Sequence, residues 1–492
     1  MTLFDTPGSL IGEVCNIQFK NMTSRARLLL VLSDIRFWII FFFLFRLIGI
    51  TNAPLEIGHN WRQSLTAMTA RNFYEGDANL LYPRIDMSGN QTGIIGSEFP
   101  FFNYLIYLFC EVFGYAHWYG RLINLIVSSI GIYFFYRLTR KICSERIAFS
   151  ATIVLITSVW FSFSRKIMPD TFSVSLVIIG LFYCYEYLVD AKKWKALLFF
   201  LFITVGMLCK IPALSLLAVI PVLLVIREIS RSRKLVVILL CALAVIIVGI
   251  WYFYWVPYLV DTYHYQLYFP KGLAEGFREI LPYIPEFFQK FYFSSLYSYV
   301  GFAFCLAGIV VLIREKNFYL KLGITLITVT FFLFILKTGA VFPLHNYYII
   351  PFIPIMALLA GMALAKLPGR YTFVLVAIVA LEGIANQQYD FFIKEGEKYK
   401  LTLEEITQKN VPPGDLIVIN GGQSPQQIYF AHRKGWTLGN ERMTRSSLDS
   451  LRMDGATYLI IEKRSHPEPI EFYPSIYQDE HYEVYRMAMI PN

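Results

Sequence analysis

The chain has 492 residues, of which 56% are hydrophobic, 17% aromatic and 16% charged, with a mean hydropathy of +0.51. A soluble chain would carry about 25% charged residues, so an ordinary soluble globular protein is excluded; apolar runs of about 20 residues, the length that crosses a bilayer core, recur instead. The net charge of +9 does not mark a nucleic-acid binder, because the Lys and Arg residues cluster in short loops between apolar runs, as in the cytoplasmic loops of membrane proteins.

Residues 1–33 are polar and read as a cytoplasmic N-terminal segment without the layout of a cleavable signal peptide. Spans are predicted at approximately 34–51, 118–137, 147–163, 170–189, 196–209, 211–226, 235–257, 294–313, 320–337, 347–365 and 372–388, about eleven in all. The loops alternate. Short basic loops carry Arg137/Arg140/Lys141/Arg146, Lys192/Lys193/Lys195, Arg227/Arg231/Arg233/Lys234, Arg314/Lys316 and Lys366/Arg370, which the positive-inside rule assigns to the cytoplasm. The other set holds a long loop at 52–117, a knot at 164–170, Lys210, and loops at 258–293 and 338–346, and is therefore expected outside. The apolar piece 101–114 is short for a span and reads as a juxtamembrane or re-entrant helix.

Within the first loop, residues 61–75 have the spacing of a helix lying on the outer surface, with Trp61, Leu65, Met68, Asn72 and Phe73 on one side. Residues 389–492 change character and predict a small outer-face α/β domain: strands at 415–420 and 457–462, helices at 424–433 and 446–453. The architecture expected is thus a transmembrane domain at 34–388 followed by an external α/β domain at 389–492, in a multi-pass protein of the cell membrane. The seven cysteines, Cys15, Cys110, Cys143, Cys184, Cys209, Cys241 and Cys305, show no CxxC spacing, and neither a disulfide framework nor a zinc site is expected. Asn21 and Asn90 head weak N-x-S/T matches, the first in the cytoplasmic segment.

Charge on one membrane face is the feature that points to chemistry. The first loop carries Glu56, His59, Arg62, Gln63, Arg71, Asp77, Arg84, Asp86 and Glu98. Arginines and lysines at a bilayer surface can clamp phosphate oxygens, and a carboxylate or histidine can remove a proton from an acceptor hydroxyl; solvated loop charges are the plainer reading. In the knot Ser164-Arg165-Lys166-Ile167-Met168-Pro169-Asp170, an N-cap role would by itself account for Asp170, but the Arg and Lys beside it exceed what a cap needs. Lys210 can snorkel to lipid phosphates or contact a substrate phosphate. In Phe342–Pro351, His345 stands out among aromatics of the interfacial kind, Tyr347 and Tyr348 included.

Taken together, these stretches resemble the GT-C superfamily of membrane glycosyltransferases, and more closely the bacterial branch of the protein O-mannosyltransferase family that includes the lipid A aminoarabinose transferases (glycosyltransferase families 39 and 83). The resemblance covers roughly residues 35–390 and rests on the large first loop, on Glu98-Phe99-Pro100, on Arg165…Asp170 and on His345-Asn346-Tyr347-Tyr348. It implies an inverting transfer of a sugar from a polyprenyl-phosphate donor to a hydroxyl acceptor outside the membrane, with membrane lipids and the donor as partners. It also implies an acidic catalytic residue in the first loop. Where the family usually has an Asp-Glu pair, this chain reads Gly58-His59-Asn60-Trp61-Arg62-Gln63. The base is then sought among Asp86, His59, Glu56 and Glu98, with Asp86 first and His59 second. Asp170 matches the second-loop acidic residue and would position acceptor or sugar. Arg62, Arg84, Arg165 and Lys210 are the phosphate candidates, with Gln63, His345 and Tyr347 as further substrate contacts. No cofactor is required by the residues; a divalent metal is open, although no ligand spacing supports one.

Two other functions fit a multi-pass protein with external cations. A lipid-linked sugar flippase or transporter would be expected to show repeated halves or charges near the midplane, and neither is seen. A polysaccharide polymerase would share the lipid-linked substrate with a different loop layout.

Overall fold

A computed structural model of the chain describes residues 24–267 and 270–487. Cys15 and Asn21, and with them most of the predicted N-terminal segment, lie outside these residues, as do positions 268–269 of the 258–293 loop and the last five residues of the C-terminal domain. In chain order the main helices are α1 (Ser24–Ser33), α2 (Ile35–Arg46), α3 (Asn60–Glu75), α4 (Phe101–Phe113), α5 (Tyr119–Ile142), α6 (Glu145–Thr157), α7 (Pro169–Asp190) and α8 (Lys193–Cys209). After a 3₁₀ stretch at Ile211–Leu224 come α9 (Arg231–Tyr263), α10 (Leu273–Ser294), α11 (Tyr299–Arg314), α12 (Phe318–Thr338), α13 (Asn346–Leu364) and α14 (Gly369–Ala385).

Among the described residues, five helices, α5, α7, α9, α12 and α13, are long and apolar enough to cross a membrane, and the number rises to seven if the bent pairs α10/α11 and α14/Gln388–Asn410 each count as one crossing. The protein is therefore a polytopic α-helical membrane protein, with fewer such spans than the eleven apolar runs of the sequence. The difference has a local cause. Several runs fold as shorter pieces: 34–51 stops being helical at Arg46, 147–163 breaks at Ser158 between α6 and Trp160–Phe163, and 211–226 winds as a 3₁₀ helix of 14 residues. At about 2 Å per residue that last helix is some 28 Å long, so its reach exceeds its residue count. Large apolar side chains such as Leu239, Ile246 and Phe253 on α9 and Ile313 on α11 are exposed, as expected of a lipid-facing surface, whereas α13 is buried almost throughout.

The C-terminal residues form a five-stranded sheet in the order β2-β1-β3-β5-β4, with β1 (Leu416–Asn420), β2 (Gly435–Leu438), β3 (Ala456–Glu462), β4 (Ser475–Gln478) and β5 (Tyr482–Arg486). β1 is parallel to both β2 and β3, and β5 is antiparallel to β3 and β4. Helices α15 (Leu403–Asn410), α16 (Gln426–Ala431) and α17 (Arg445–Met453) accompany it. Alternation along β1 splits the core in two. Val418 faces Leu448 and Leu459 on one side, while Ile417 and Ile419 belong to a larger cluster that also contains Leu65 and Met68 of α3 and Ile85 of the first loop. Sheet and loop thus share one apolar core.

That shared core corrects the expectation of a surface helix at 61–75. The helix forms, but Gln63 to Arg71 are buried on every side, because Gln63 meets Ile167, Thr66 meets Asn103 of α4 and Arg71 meets Tyr429 of the C-terminal domain. The two parts are stitched by backbone as well: Gly89 N donates to Gly435 O at 2.7 Å and Gly435 N to Asp86 O at 2.9 Å. Gly89 has φ +64° and lies against the Trp436 ring, so close that a Cβ there would collide with it.

Candidate active site

Four elements bring charge to one place. Arg62 is in the first turn of α3, Glu98 is just before α4, Asp170 is in the first turn of α7 and Lys210 follows α8. Arg62 Nη2 and Lys210 Nζ both donate to Glu98 Oε1 at 2.6 Å, and Lys210 Nζ lies 3.8 Å from Asp170 Oδ1. Asp170 Oδ2 and Arg62 Nε are buried without a hydrogen-bond partner among the described residues, and such orphaned groups are rare enough to need a reason. A narrow cleft of ≈ 30 Å³ lies beside Arg62, lined also by Glu98, Pro169 and Asn103. Burial pushes the Glu98 carboxyl up, but Arg62 and Lys210 outweigh it and hold the group well below the usual carboxylate range.

The helix start explains how Asp170 comes to face Lys210. Pro169 occupies N1 of α7, where its missing N–H costs nothing. Met168, not Asp170, is the N-cap residue, so the cap role that would have accounted for Asp170 is not the one it plays. Asn124 pins the knot, its amide donating to Phe163 O, Lys166 O and Met168 O at 2.9–3.1 Å. Gln63 ties the knot to α3 by accepting from Ile167 N at 3.1 Å.

Aromatic and imidazole rings form the other wall. Lys210 Nζ lies 5.3 and 5.5 Å from the Tyr347 and Tyr348 ring centroids, within cation–π reach. His59 stands 5.0 Å from the Tyr347 ring and 5.5 Å from His345, with left-handed backbone (φ 57°) just before α3. Burial first, then Lys166 and His345, lower the His59 pKa to about 3. Burial, Lys290 and Lys210 lower that of His345 to about 4. Both imidazoles are neutral at pH 7.

The remaining candidates lie elsewhere in the network. Asp86 Oδ2 accepts from Arg71 Nη2 at 3.0 Å and Oδ1 from Asn72 at 2.9 Å; Arg71 also donates to Tyr429 O at 3.0 Å. The first choice for the base therefore joins loop to C-terminal domain. Glu56 is buried in a bidentate pair with Arg121; burial raises its carboxyl, but Arg121 brings it down to about 2. Arg84 pairs with the exposed Asp77 at 3.3 Å. Arg165 donates to the carbonyls of Arg46, Ile48 and Asp390 and lies 4.1 Å over the Phe391 ring, which leaves it a brace between segments.

Lys166 of the knot, and two residues that sequence reasoning passed over, border this region. Lys166 Nζ reaches Gly58 O at 2.8 Å and Asp390 Oδ1 at 3.1 Å, and Lys290 Nζ reaches Asn346 Oδ1 at 2.5 Å. Lys290 and Asp390 are single charges in strongly apolar or aromatic surroundings, the signal that could have found them. Among the described residues, no group of three or more His, Cys, Asp and Glu side chains is arranged to hold a metal ion.

The profile of the family described as dolichyl-phosphate-mannose-protein mannosyltransferase matches residues 97–252, a stretch that contains Glu98, Asp170 and Lys210. No curated protein matches the sequence. Solved structures do resemble it. ArnT from Cupriavidus metallidurans bound to undecaprenyl phosphate superposes with a TM-score of 0.63 at 13% identity, covering 91% of this chain and 98% of that one; its apo state gives 0.60 at 14% identity over 91% and 97%. The oligosaccharyltransferase of Archaeoglobus fulgidus in the apo form gives 0.55 at 11% identity, over 86% of this chain and 69% of that one. The chain thus has the fold of the GT-C membrane glycosyltransferases. Over 91% of its length the fold matches that of ArnT.

Proposed function

We propose that the protein is an inverting glycosyltransferase that moves a sugar from a polyprenyl-phosphate donor to a hydroxyl acceptor at the outer face of the membrane. The observation that carries the reading is the Arg62–Glu98–Lys210–Asp170 cluster beside its cleft. Two cations share one carboxylate oxygen there, and an aspartate oxygen is left unpartnered. The similarity to ArnT bound to undecaprenyl phosphate supports the donor class.

The acceptor oxygen attacks the anomeric carbon as the bond to the lipid-phosphate oxygen breaks. The acceptor proton goes to a carboxylate, and the departing phosphate takes the bonding pair. Lys210 and Arg62 are suited to the phosphate, because a developing dianion competes with Glu98 for both. Of the site's carboxylates, Asp170 is the stronger choice for the proton, since one of its oxygens is buried without a hydrogen-bond partner among the described residues, whereas the ties of Asp86 to Arg71 and Asn72 favour a supporting part. His59, His345 and Tyr347 would line the sugar. In this reading the basic loops lie in the cytoplasm, the C-terminal domain lies outside, and the shorter apolar helices complete a bundle of about eleven crossings.

The test is release of free polyprenyl phosphate from a panel of polyprenyl-phosphate sugars by protein in nanodiscs. Release by wild type that collapses in Asp170→Asn, with donor binding retained, is the result expected. Donor binding without release in wild type, with candidate acceptors present, would turn the assignment towards a lipid-sugar flippase.

A further inference from the structure

The C-terminal domain has a second cavity, remote in structure from the charged cluster and formed wholly within residues 400–465. Its position follows from topology. The chain leaves β1 through α16 to β2 on one side, then crosses back through α17 to β3 on the other. Parallel strands in the order 2-1-3 part their connections at the carboxyl ends of β1 and β3, and α/β sheets bind ligands in the crevice so opened. The cavity lies there, between Asn420 at the end of β1 and Glu462 at the end of β3, with a volume of ≈ 360 Å³.

The walls are polar yet carry no free charge. Asn420 is buried and clips the strand ends together: its Oδ1 accepts from Glu462 N at 2.6 Å and its amide donates to Glu462 O at 3.0 Å and Ser465 Oγ at 3.1 Å. The Glu462 carboxylate accepts from Tyr399 Oη at 3.0 Å and from the Arg464 and Ser465 amides at 3.2 Å. Lys400 Nζ is held by Glu397 at 2.5 Å and by Gln426 Oε1 at 2.8 Å. An anion or cation would find its counter-charge already engaged. What remains for a ligand is amide and hydroxyl. Gln427 uses its carbonyl on Tyr482 Oη at 3.0 Å and its amide donates to none of the described residues. Ser424 Oγ accepts only a long bond from Gln426 N, 3.4 Å, whereas Asn440 at the rim is engaged, accepting from Asn420 Nδ2 at 3.2 Å and donating to Ser465 O at 2.8 Å. The floor is bare backbone, because Gly422 has φ +59° and a Cβ there would meet nothing within 4 Å.

We propose that this crevice binds a neutral, hydroxyl-rich saccharide unit. The Gln427 amide N–H and the Ser424 hydroxyl offer donors and an acceptor that match adjacent sugar hydroxyls, and the space suits a sugar ring. The assignment rests on the glycosyltransferase reading only for its role, which is to hold an acceptor glycan by a unit away from the reacting one.

The test is saccharide binding to the full chain in nanodiscs, since maltoside detergents would present a sugar of their own. The probes are cellobiose, lactose, maltose and N-acetylglucosamine, followed by saturation-transfer NMR, with glucuronate, inorganic phosphate and a neutral tetrapeptide amide alongside. At least one neutral saccharide is expected to bind. Ser424→Leu, which fills the crevice, should weaken that binding about tenfold or more. Lys210→Ala should bind it as wild type does. No saccharide binding, binding unchanged in Ser424→Leu, or preference for phosphate, glucuronate or the peptide would overturn the proposal. Polyprenyl phosphate release measured in parallel separates the two readings: release without saccharide binding overturns this one alone, and saccharide binding without release supports it while the transferase reading fails.

Discussion

The ammonium of Lys210 sits 2.6 Å from one oxygen of Glu98 and 3.8 Å from Asp170, bridging two carboxylates contributed by elements far apart in the chain. It is buried, so its charge is weakly screened. Lys210→Ala should therefore lower sugar transfer by about 10²- to 10³-fold, the range seen when one transition-state charge partner is removed. Lys210→Arg should recover part of the loss. If polyprenyl phosphate release by Lys210→Ala stays within threefold of wild type, Lys210 is a structural bridge and nothing more.

Asp170 and Asp86 separate by experiment because their partners differ. Asp170→Asn keeps the shape but loses the proton acceptor, so turnover should collapse while donor affinity and thermal stability change little. Asp86→Asn should act on stability instead, because Arg71 is buried and would be left without its ion pair. Breaking one partner of a buried pair costs about 3–5 kcal/mol. Thermal unfolding and limited proteolysis of the C-terminal domain, set beside turnover, tell the two apart. Full stability with abolished turnover in Asp86→Asn would return Asp86 to the role of base.

Arg165 offers a similar contrast. Its three donors reach backbone carbonyls on two segments, and its guanidinium plane stacks on Phe391. Lysine cannot reproduce that fork. Arg165→Lys should lower the melting temperature and leave the affinity for a polyprenyl-phosphate donor, measured on the folded fraction, within about twofold of wild type. A selective loss of donor affinity at unchanged stability would mark Arg165 as a phosphate ligand.

These outcomes reflect what a sequence can carry. Charged residues interrupting apolar runs stand out, so Arg62, Glu98, Asp170 and Lys210 were legible as candidates from position alone. Which of them meet was not, because Glu98 and Lys210 are 112 residues apart and no local pattern pairs them. The same gap hid the fate of Arg165, whose partners are backbone atoms. In the C-terminal domain the apolar runs of β1 and β3 were readable, while β2 is only four residues long and β4 is largely exposed, so neither leaves a hydrophobic signature. The covered face of α3 is hidden for a related reason: Gln63, Thr66 and Arg71 look solvated in one dimension, and partners distant in sequence, Ile167, Asn103 and Tyr429 in turn, cover them. Fewer helices than apolar runs are long enough to cross a membrane, because bends and a 3₁₀ segment cut long apolar runs into short helices.

That docking carries a pH dependence. His432 Nδ1 is 2.7 Å from Glu404 of α15, and its Nε2 is 2.8 Å from Glu75 at the end of α3. Hydrogen bonds to Glu404 and then Glu75 raise its pKa to about 8, against the opposing effects of burial and nearby Arg71. A group whose pKa is raised on folding adds stability that is complete below its unfolded value, near 6.5, and is lost as the pH climbs through about 8. The contact between the first loop and the C-terminal domain should thus loosen between pH 6.5 and 8.5. The site is partly solvated, so the effect is modest and weakens with salt. The measurement is the rate of proteolytic cleavage between the transmembrane and C-terminal parts across that pH range, comparing wild type with His432→Gln. Wild type should become more susceptible as the pH rises, whereas the variant, which cannot gain a proton, should start susceptible and stay flat. Parallel profiles for the two proteins would remove His432 from the account.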